Sequence, residues 1–274
     1  MDQGLTHVEV DINVDVDVFT TGTAGDLLDA IIEYLLYQRN QIPFVFRTFK
    51  YLVSLWKPID EDAEYSEYVL EKHRNSARNT LNNYKDVSKA LREAIKQTNL
   101  SSIRLLFGCT TSTPKEIYKI NLPEISRVHS PENHQNFLDP ALRKFLISLV
   151  TSEALSNVFS SQISTTNMYV EIEVESKDLG ESQLFIEKEF DDPPFRCTSV
   201  TLNIKHEPST DKASLNCCKE LVVFKDLGNL SLNEATNEPP TDEQKSPQRT
   251  WMEVNCFIKG FKYVPIKGKN LWQS

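Results

Sequence analysis

Apolar residues recur every three or four positions in three segments of the chain, which predicts three amphipathic helices. The first begins near Gly25 and is expected to end before Pro43. A second, long helix follows the acidic stretch at residues 60–64, and the third spans about Asp139–Phe159. The apolar stripe of the second helix consists of Ala77, Leu81, Tyr84, Val87, Leu91 and Ile95.

The third predicted helix has an unusually wide apolar surface. Its large apolar residues cover an arc of roughly 200°, against about 100° for a helix with one buried stripe. These residues are Leu142, Phe145, Leu146, Ile147, Leu149 and Val150. Such a helix either lies inside the protein or keeps one flank for a partner. The internal position is favoured, because wide apolar faces are usually buried.

Alternation of apolar and polar residues predicts an antiparallel sheet in most of the remaining chain. Ile103–Cys109 and Glu116–Leu122 are expected to form a hairpin around Pro114. Further strands are predicted at Met168–Glu175, Gln183–Phe190, Thr198–Ile204, Glu220–Lys225 and within Trp251–Val264. In the first of these, the glutamates at 171, 173 and 175 are expected to face solvent. The fold class is therefore α+β, with three helices and one sheet around a single core.

Two segments are predicted to be flexible. Residues 1–24 alternate acids with valines, a pattern that permits a strand but fits an acidic tail equally well. We predict a mostly flexible tail there. Residues 226–249 are polar and contain prolines, which predicts a disordered loop. One domain is expected over residues 25–264, followed by a C-terminal tail at 265–274.

Charge and hydropathy exclude several classes of function. The chain has 274 residues and a net charge of −9, which argues against binding to nucleic acid. Residues 1–24 contain five acidic and no basic residues, and residues 226–249 contain five acidic and two basic ones. Much of the charge therefore lies outside the predicted folded parts. No apolar run approaches the length of a membrane span and no signal peptide is apparent, so a soluble intracellular protein is expected.

The sequence offers little for catalysis, cofactors or metals. The eight glycines are too scattered for a phosphate-binding loop. The adjacent Cys217 and Cys218 fit a tetrahedral metal site poorly, so neither a metal nor a cofactor is expected. An enzyme built on Cys109 with His129 or His134 is a remote alternative, since histidines in polar loops are usually solvated.

One short motif points to regulation by phosphorylation. Ser246 is followed by Pro247 and, two residues further, by Arg249. A serine with proline next to it and a basic residue at the third position fits a proline-directed kinase site. Ser246 lies in the predicted disordered loop, where a kinase would have access to it.

Two motifs in this order of elements resemble the HORMA family. Leu36–Arg39, followed by Gln41–Pro43, resembles the LYQR…P signature at the end of the first HORMA helix. Ile103–Leu122 resembles the strand–turn–strand that follows the second HORMA helix.

Three further segments narrow the resemblance to the comet family, whose members are adaptors that bind Mad-two (Mad2). Thr113–Tyr118 and Phe257–Phe261 resemble segments of that family, and Ala141–Leu146 is similar to the comet helix that meets Mad2. The resemblance covers roughly residues 25–264, with gaps in the strand region after Thr165.

The resemblance implies a HORMA-like fold, with three helices on a mostly antiparallel sheet and a C-terminal segment of the safety-belt type. It implies a non-enzymatic adaptor that binds the closed conformer of Mad2 and blocks its dimerisation with open Mad2. With a pachytene-checkpoint-type AAA+ ATPase, such an adaptor promotes disassembly of the mitotic checkpoint complex and silences the spindle assembly checkpoint. The implied location is the nucleus and cytoplasm, with spindle or kinetochore association in mitosis.

The resemblance also implies partner-binding residues. Gln38 matches the family glutamine that contacts Mad2, and Leu146 stands where the family has a phenylalanine. Phe145 is expected to supply the missing ring, and Leu142 and Arg143 complete the set. An alternative role for Gln38 is to cap the end of the first helix. An alternative function is that of another HORMA protein, which captures a closure-motif peptide under its own belt in meiotic or DNA-repair signalling.

Overall fold

The structure is a computed structural model that describes residues 7–56, 65–175, 183–189, 194, 197–207, 249–265 and 271–272. Several sequence predictions lie outside these residues. They are the strand at 220–225, the loop at 226–249 except Arg249, the adjacent cysteines Cys217 and Cys218, and Ser246.

Five α-helices are present in the described part of the chain, where the sequence predicted three. They are α1 (Thr21–Gln38), α2 (Phe46–Ser54), α3 (Tyr65–Gln97), α4 (Gln135–Thr151) and α5 (Glu153–Ser160). A short 3-10 helix, Pro131–His134, precedes α4. None of the helices that the structure describes is long and apolar enough to cross a membrane.

Local capping explains two of the differences from the predicted helices. The side chain of Thr20 accepts a hydrogen bond from the backbone N–H of Thr23 at 3.2 Å, so α1 begins four residues earlier than Gly25. The third predicted helix is divided because Ser152 has extended backbone angles. Its hydroxyl accepts from the backbone N–H of Leu155 and caps α5.

Eight described strands form one mostly antiparallel sheet. They are β1 (His7–Asn13), β2 (Leu100–Gly108), β3 (Pro114–Asn121), β4 (Asn167–Val174), β5 (Phe185–Lys188), β6 (Thr198–Lys205), β7 (Thr250–Val254) and β8 (Ile258–Lys259). Their order is β1-β6-β3-β2-β4-β7-β5, and β8 also pairs with β4. The predicted hairpin of β2 and β3 is confirmed. The pairs β1–β6 and β3–β6 are parallel.

The helices pack on one face of this sheet. Leu105 of β2 lies opposite Tyr118 of β3 and Val170 of β4, and all three are fully buried in the main core. The core also contains the buried stripes of α1 and α3, so the predicted α+β class is confirmed. On the opposite face, Cys197 belongs to a small apolar cluster. Burial raises the pKa of its thiol to about 11, so this thiol stays protonated near neutral pH.

The N-terminal segment corrects the prediction of a flexible tail. Residues 7–13 form the edge strand β1, and the backbone N–H of Val14 donates to the carbonyl of Lys205 at 2.8 Å. Val14, Val16 and Val18 are all buried. The alternation of acids and valines is therefore that of a strand and the extended segment after it, whose apolar side reaches the core.

Replacement of Ile12 by alanine tests this placement. Ile12 is 2% exposed and pairs with Ile204, so Ile12→Ala should lower the free energy of unfolding by about 2–5 kcal/mol. The exposed neighbour Asn13 offers the control, since Asn13→Ala should change stability little. Urea unfolding followed by circular dichroism measures both. Equal and negligible losses would contradict a buried β1.

The C-terminal residues Leu271 and Trp272 return to the core, although residues 265–274 were predicted to be a tail. Leu271 is 1% exposed. The ring centroid of Trp272 lies 4.9 Å from that of Phe44 and 5.4 Å from that of Trp56. Phe44 and Trp56, which lie on either side of α2, thus pack against the end of the chain.

The glutamates of β4 are not a solvated row. Glu171 is 1% exposed, and its carboxylate lies 2.5 Å from Arg104 of β2 and 2.5 Å from Lys188 of β5. The ring of Trp251 covers Arg104 at 4.2 Å. Glu173 accepts hydrogen bonds from neighbouring serine hydroxyls. The prediction was wrong for Glu171, because β4 is an inner strand and Arg104 and Lys188 on other strands of the sheet reach its carboxylate.

Candidate functional site

Helix α4 has a buried face and an exposed apolar face. Among the side chains of α4 that the structure describes, Ala141, Phe145 and Leu149 are buried. Leu142 and Leu146 are partly buried and pack against the same core. Ile147 and Val150, in contrast, are 62% and 60% exposed. These two residues are three positions apart and therefore lie on one side of the helix. We call Ile147 and Val150 the α4 patch.

The structure corrects one predicted contact of this helix. The side chain of Phe145 has no exposed surface, so its ring is not available to a partner and the expectation that it meets one is wrong. It faces the core because it lies one turn from both Ala141 and Leu149. Arg143 is exposed and lies one turn before Ile147, at the margin of the α4 patch.

The wide apolar arc predicted for this helix from the sequence already included Ile147 and Val150, the two residues of the α4 patch. It did not show which flank faces the core, because that depends on how α4 lies against the sheet and α1. The structure places Leu142 and Leu146 at the border between the core and the patch, with the exposed apolar surface on the far side.

Contacts to two neighbouring elements hold α4 in place. The hydroxyl of Tyr34, on α1, donates to the carbonyl of Leu149 at 3.4 Å. Burial raises the pKa of Tyr34 to about 12, so this hydroxyl remains a donor. At the other flank, Lys144 lies 2.6 Å from the carboxylate of Asp15, and this hydrogen bond lowers the pKa of Asp15. The α4 patch is therefore carried on a helix that is held mainly by its buried face and by the bond from Tyr34, because the exposed Lys144–Asp15 pair contributes little stability.

The end of α1 places Gln38 beside the C-terminal segment. Asn40 has a φ of 55°, the left-handed conformation that often ends a helix. Gln38 is half-buried and lines a recess of about 340 Å³ together with Tyr37 and Tyr263. Within the described residues its side chain makes no hydrogen bond, and the cap residue is Arg39. The alternative capping role of Gln38 is therefore not observed.

Arg39, next to Gln38, is a buried anchor that the sequence analysis missed. Its guanidinium forms a bidentate pair with Glu116 of β3, with a distance of 2.8 Å from Nε to Oε2. It also donates to the carbonyl of Ser161 at 2.7 Å and lies over the ring of Phe159. The hydroxyl of Tyr118 donates to the same carboxylate at 2.8 Å. These bonds tie the end of α1 to the sheet and to the end of α5.

Residues 258–261 close over the end of α1. The N–H of Gly260 donates to the carbonyl of Thr166 at 2.9 Å, and the N–H of Phe261 donates to the carbonyl of Gln41 at 2.7 Å. A Cβ at position 260 would lie 2.5 Å from Oε1 of Gln41 and 2.6 Å from the carbonyl oxygen of Thr166. Only glycine fits this close approach. The C-terminal segment thus forms one wall of the recess that contains Gln38.

The cysteine and histidines of the enzyme alternative are not brought together. Cys109 follows the C-terminal end of β2. His134 lies near the opposite end of β2. Its Nδ1 is 2.6 Å from Oδ2 of Asp17, which follows β1 in the chain. The end of β1 is aligned, across β6 and β3, with Ser102 at the start of β2. The length of β2 between these ends is about 20 Å. In the described part of the chain, no group of three His, Cys, Asp or Glu side chains is placed to hold a metal ion.

The fold and the α4 patch define a class of protein. It is a mixed α/β domain with helices on a mostly antiparallel sheet, and its exposed apolar surface suits a protein partner. The chain belongs to the p31comet family, described as "Mad1 and Cdc20-bound-Mad2 binding", whose model matches residues 22–211. No curated protein is similar enough to the chain to count as a match. Membership of the family implies that the chain binds Mad2 in the setting of the checkpoint.

The family match begins inside α1 and ends after β6. The structure adds β1, β7 and β8 to the same sheet, so the domain extends beyond the matched residues on both sides.

Proposed function

We propose that this protein is a non-enzymatic adaptor that binds the closed conformer of Mad2 through the α4 patch and Gln38. By occupying the dimer face of closed Mad2, it blocks dimerisation with open Mad2 and silences the spindle assembly checkpoint. Membership of the p31comet family supports the choice of partner. The α4 patch is the observation that supports the surface, because it exposes two large apolar residues on a fixed helix.

The surroundings of the α4 patch fit an interface of this kind. Stable interfaces combine an apolar centre with a polar rim. Three exposed polar residues of α4 lie beside Ile147 and Val150, namely Arg143, Lys144 and Thr151. Leu142 and Leu146 support the patch from the core side and add partly exposed apolar surface.

Gln38 extends the proposed surface from α4 to α1. Tyr34 of α1 contacts α4 directly, and Gln38 follows it by about one turn. Tyr37, next to Gln38, is 39% exposed. We infer that closed Mad2 covers both helices at once, with Gln38 as a polar contact beside the apolar α4 patch.

The proposal includes a HORMA-like architecture in which residues 258–264 and the partly buried Trp272 belong to a C-terminal segment of the safety-belt type. Two features support it: β8 pairs with β4, and Phe261 binds the turn after α1. The proposal also includes a second partner, a pachytene-checkpoint-type AAA+ ATPase, with which the adaptor promotes disassembly of the mitotic checkpoint complex. The proposed location is the nucleus and cytoplasm, with spindle or kinetochore association in mitosis.

Co-elution with conformationally locked Mad2 tests the proposal. The purified chain is mixed with locked-closed or locked-open Mad2 and separated on a sizing column. We expect a complex with the closed form only, because the adaptor imitates the open partner. Equal behaviour with both forms, whether as a complex or as separate peaks, would contradict the adaptor function.

A further inference from the structure

A groove between α2 and α3 has no role in the proposed function. Its volume is about 290 Å³, at the lower limit of ligand pockets, which measure about 300–1,000 Å³. Among the described residues, its lining comes from α2 and α3 and includes Phe46, Lys50, Val53, Leu81, Tyr84 and Lys85. The α4 patch belongs to a different helix, so the two surfaces can be tested separately.

The floor of the groove is apolar and well ordered by packing. Phe46, Val53 and Leu81 are each 6–7% exposed and form part of the main core. The rings of Phe46 and Tyr84 have centroids 4.3 Å apart. The hydroxyl of Tyr84 donates to Glu33 at 2.8 Å, which fixes the ring. A floor of this kind accepts one bulky aliphatic or aromatic side chain.

The rim of the groove is positively charged, although the chain as a whole has a net charge of −9. Lys50, Arg78 and Lys85 line it, and no carboxylate of the described residues does. Arg78 is already paired with Glu71 of α3. Within the described residues, neither Lys50 nor Lys85 forms an ion pair, and both are exposed. The carboxylate of Glu33 is close enough to Lys50 for the two charges to attract each other. Glu33 does not line the groove, however, and it accepts the hydrogen bond from Tyr84.

We propose that the groove between α2 and α3 binds a short acidic peptide segment of a partner protein, with one bulky apolar side chain inserted between Phe46 and Leu81. The acidic residues on either side of that side chain would face Lys50 and Lys85. An apolar floor inside a cationic rim is complementary to this chemistry, whereas a basic peptide would meet like charges at the rim. Nucleic acid fits less well, because its binding needs a longer stripe of cations.

Fluorescence anisotropy with a designed peptide tests this inference. The probe is the fluorescein-labelled peptide Asp-Glu-Asp-Phe-Glu-Asp, added to the full chain at low salt. We expect saturable binding that weakens as salt shortens the Debye length. Replacing the central Phe by Ser should weaken binding about tenfold or more, because the floor is then left empty. Equal binding of the two peptides would overturn the proposal.

Two pairs of charge reversals with the same change in net charge locate the site. Lys50→Glu with Lys85→Glu should weaken binding about tenfold or more. Lys72→Glu with Lys96→Glu reverses two exposed lysines of α3 that lie outside the groove, and binding should stay within about twofold. Equal losses of affinity for the peptide in the two double variants would overturn the proposal. The first pair should still co-elute with closed Mad2, which separates this site from the proposed function.

Three further measurements exclude other occupants. Ser54→Trp fills the groove from an exposed position without a change of charge, and it should abolish binding of the peptide. If the peptide binds only after Asp60, Glu61, Asp62 and Glu64 are changed to their amides, the chain's own acidic residues fill the groove. If a single-stranded oligonucleotide competes as well as the peptide, the groove selects any polyanion. Either result would overturn the proposal of a peptide partner.

Discussion

Ile147→Arg is expected to abolish the complex with closed Mad2 while thermal unfolding stays nearly unchanged. Ile147 is 62% exposed, so a charged side chain at this position remains in water in the free protein. In the complex, it would be buried against an apolar surface without a partner for its charge. A residue at the centre of an interface commonly contributes about 2 kcal/mol or more, which corresponds to about thirtyfold in Kd.

The matched control for this prediction is Ser148→Arg on the same helix. Ser148 is exposed but points away from the α4 patch, so this variant should bind closed Mad2 almost normally. Isothermal titration calorimetry measures the affinities, and differential scanning calorimetry measures the stabilities. Equal affinity of the Ile147→Arg and Ser148→Arg variants would contradict the proposed surface. Leu146→Arg should lower both affinity and stability, because Leu146 packs partly against the core.

Arg39→Met is expected to lower the free energy of unfolding by about 3–5 kcal/mol. The substitution keeps the apolar stem but removes the cation from Glu116, whose side chain is 4% exposed. A buried carboxylate without its cation is far more costly than the loss of one hydrogen bond. Chemical unfolding in urea, monitored by circular dichroism, measures the difference.

The double variant Arg39→Met with Glu116→Gln is the control for that prediction. The neutral amide still accepts the hydrogen bond from Tyr118, so most of the lost stability should return. The exposed pair Lys205–Asp11 supplies a second control, because Lys205→Met should leave the unfolding midpoint almost unchanged. A double variant as unstable as the single one would contradict a charge-based role for Arg39.

The buried charges illustrate what sequence reasoning missed. Glu171 lies on a strand with clear alternation, where its polar position predicted exposure, and Arg104 lies in the predicted hairpin. In the structure they are cross-strand partners in an inner part of the sheet, and Lys188 completes the group. Arg39 was part of a recognised motif, but its partner Glu116 is 77 residues away in the chain. No local pattern contains such a pairing, because it depends on which strand receives the end of α1.

The sequence by itself determined the local elements and the family. The helical periodicity of α1 and α3, the hairpin of β2 and β3 and the strand β4 follow from side-chain spacing, which reports the face that each element buries. The motifs at Thr113–Tyr118, Ala141–Leu146 and Phe257–Phe261 indicated the comet family, and the family match confirmed it.

Only the tertiary structure decided how those elements are used. It placed β1 beside β6, whose paired residues are 192 positions apart in the chain, and the segment predicted to be an acidic tail therefore forms an edge strand. It also decided which flank of the wide arc on α4 is buried, with Phe145 inside and Ile147 and Val150 outside. The physical reason is the same in both cases. Periodicity defines a face relative to its own element, whereas burial depends on what the rest of the chain packs against that face.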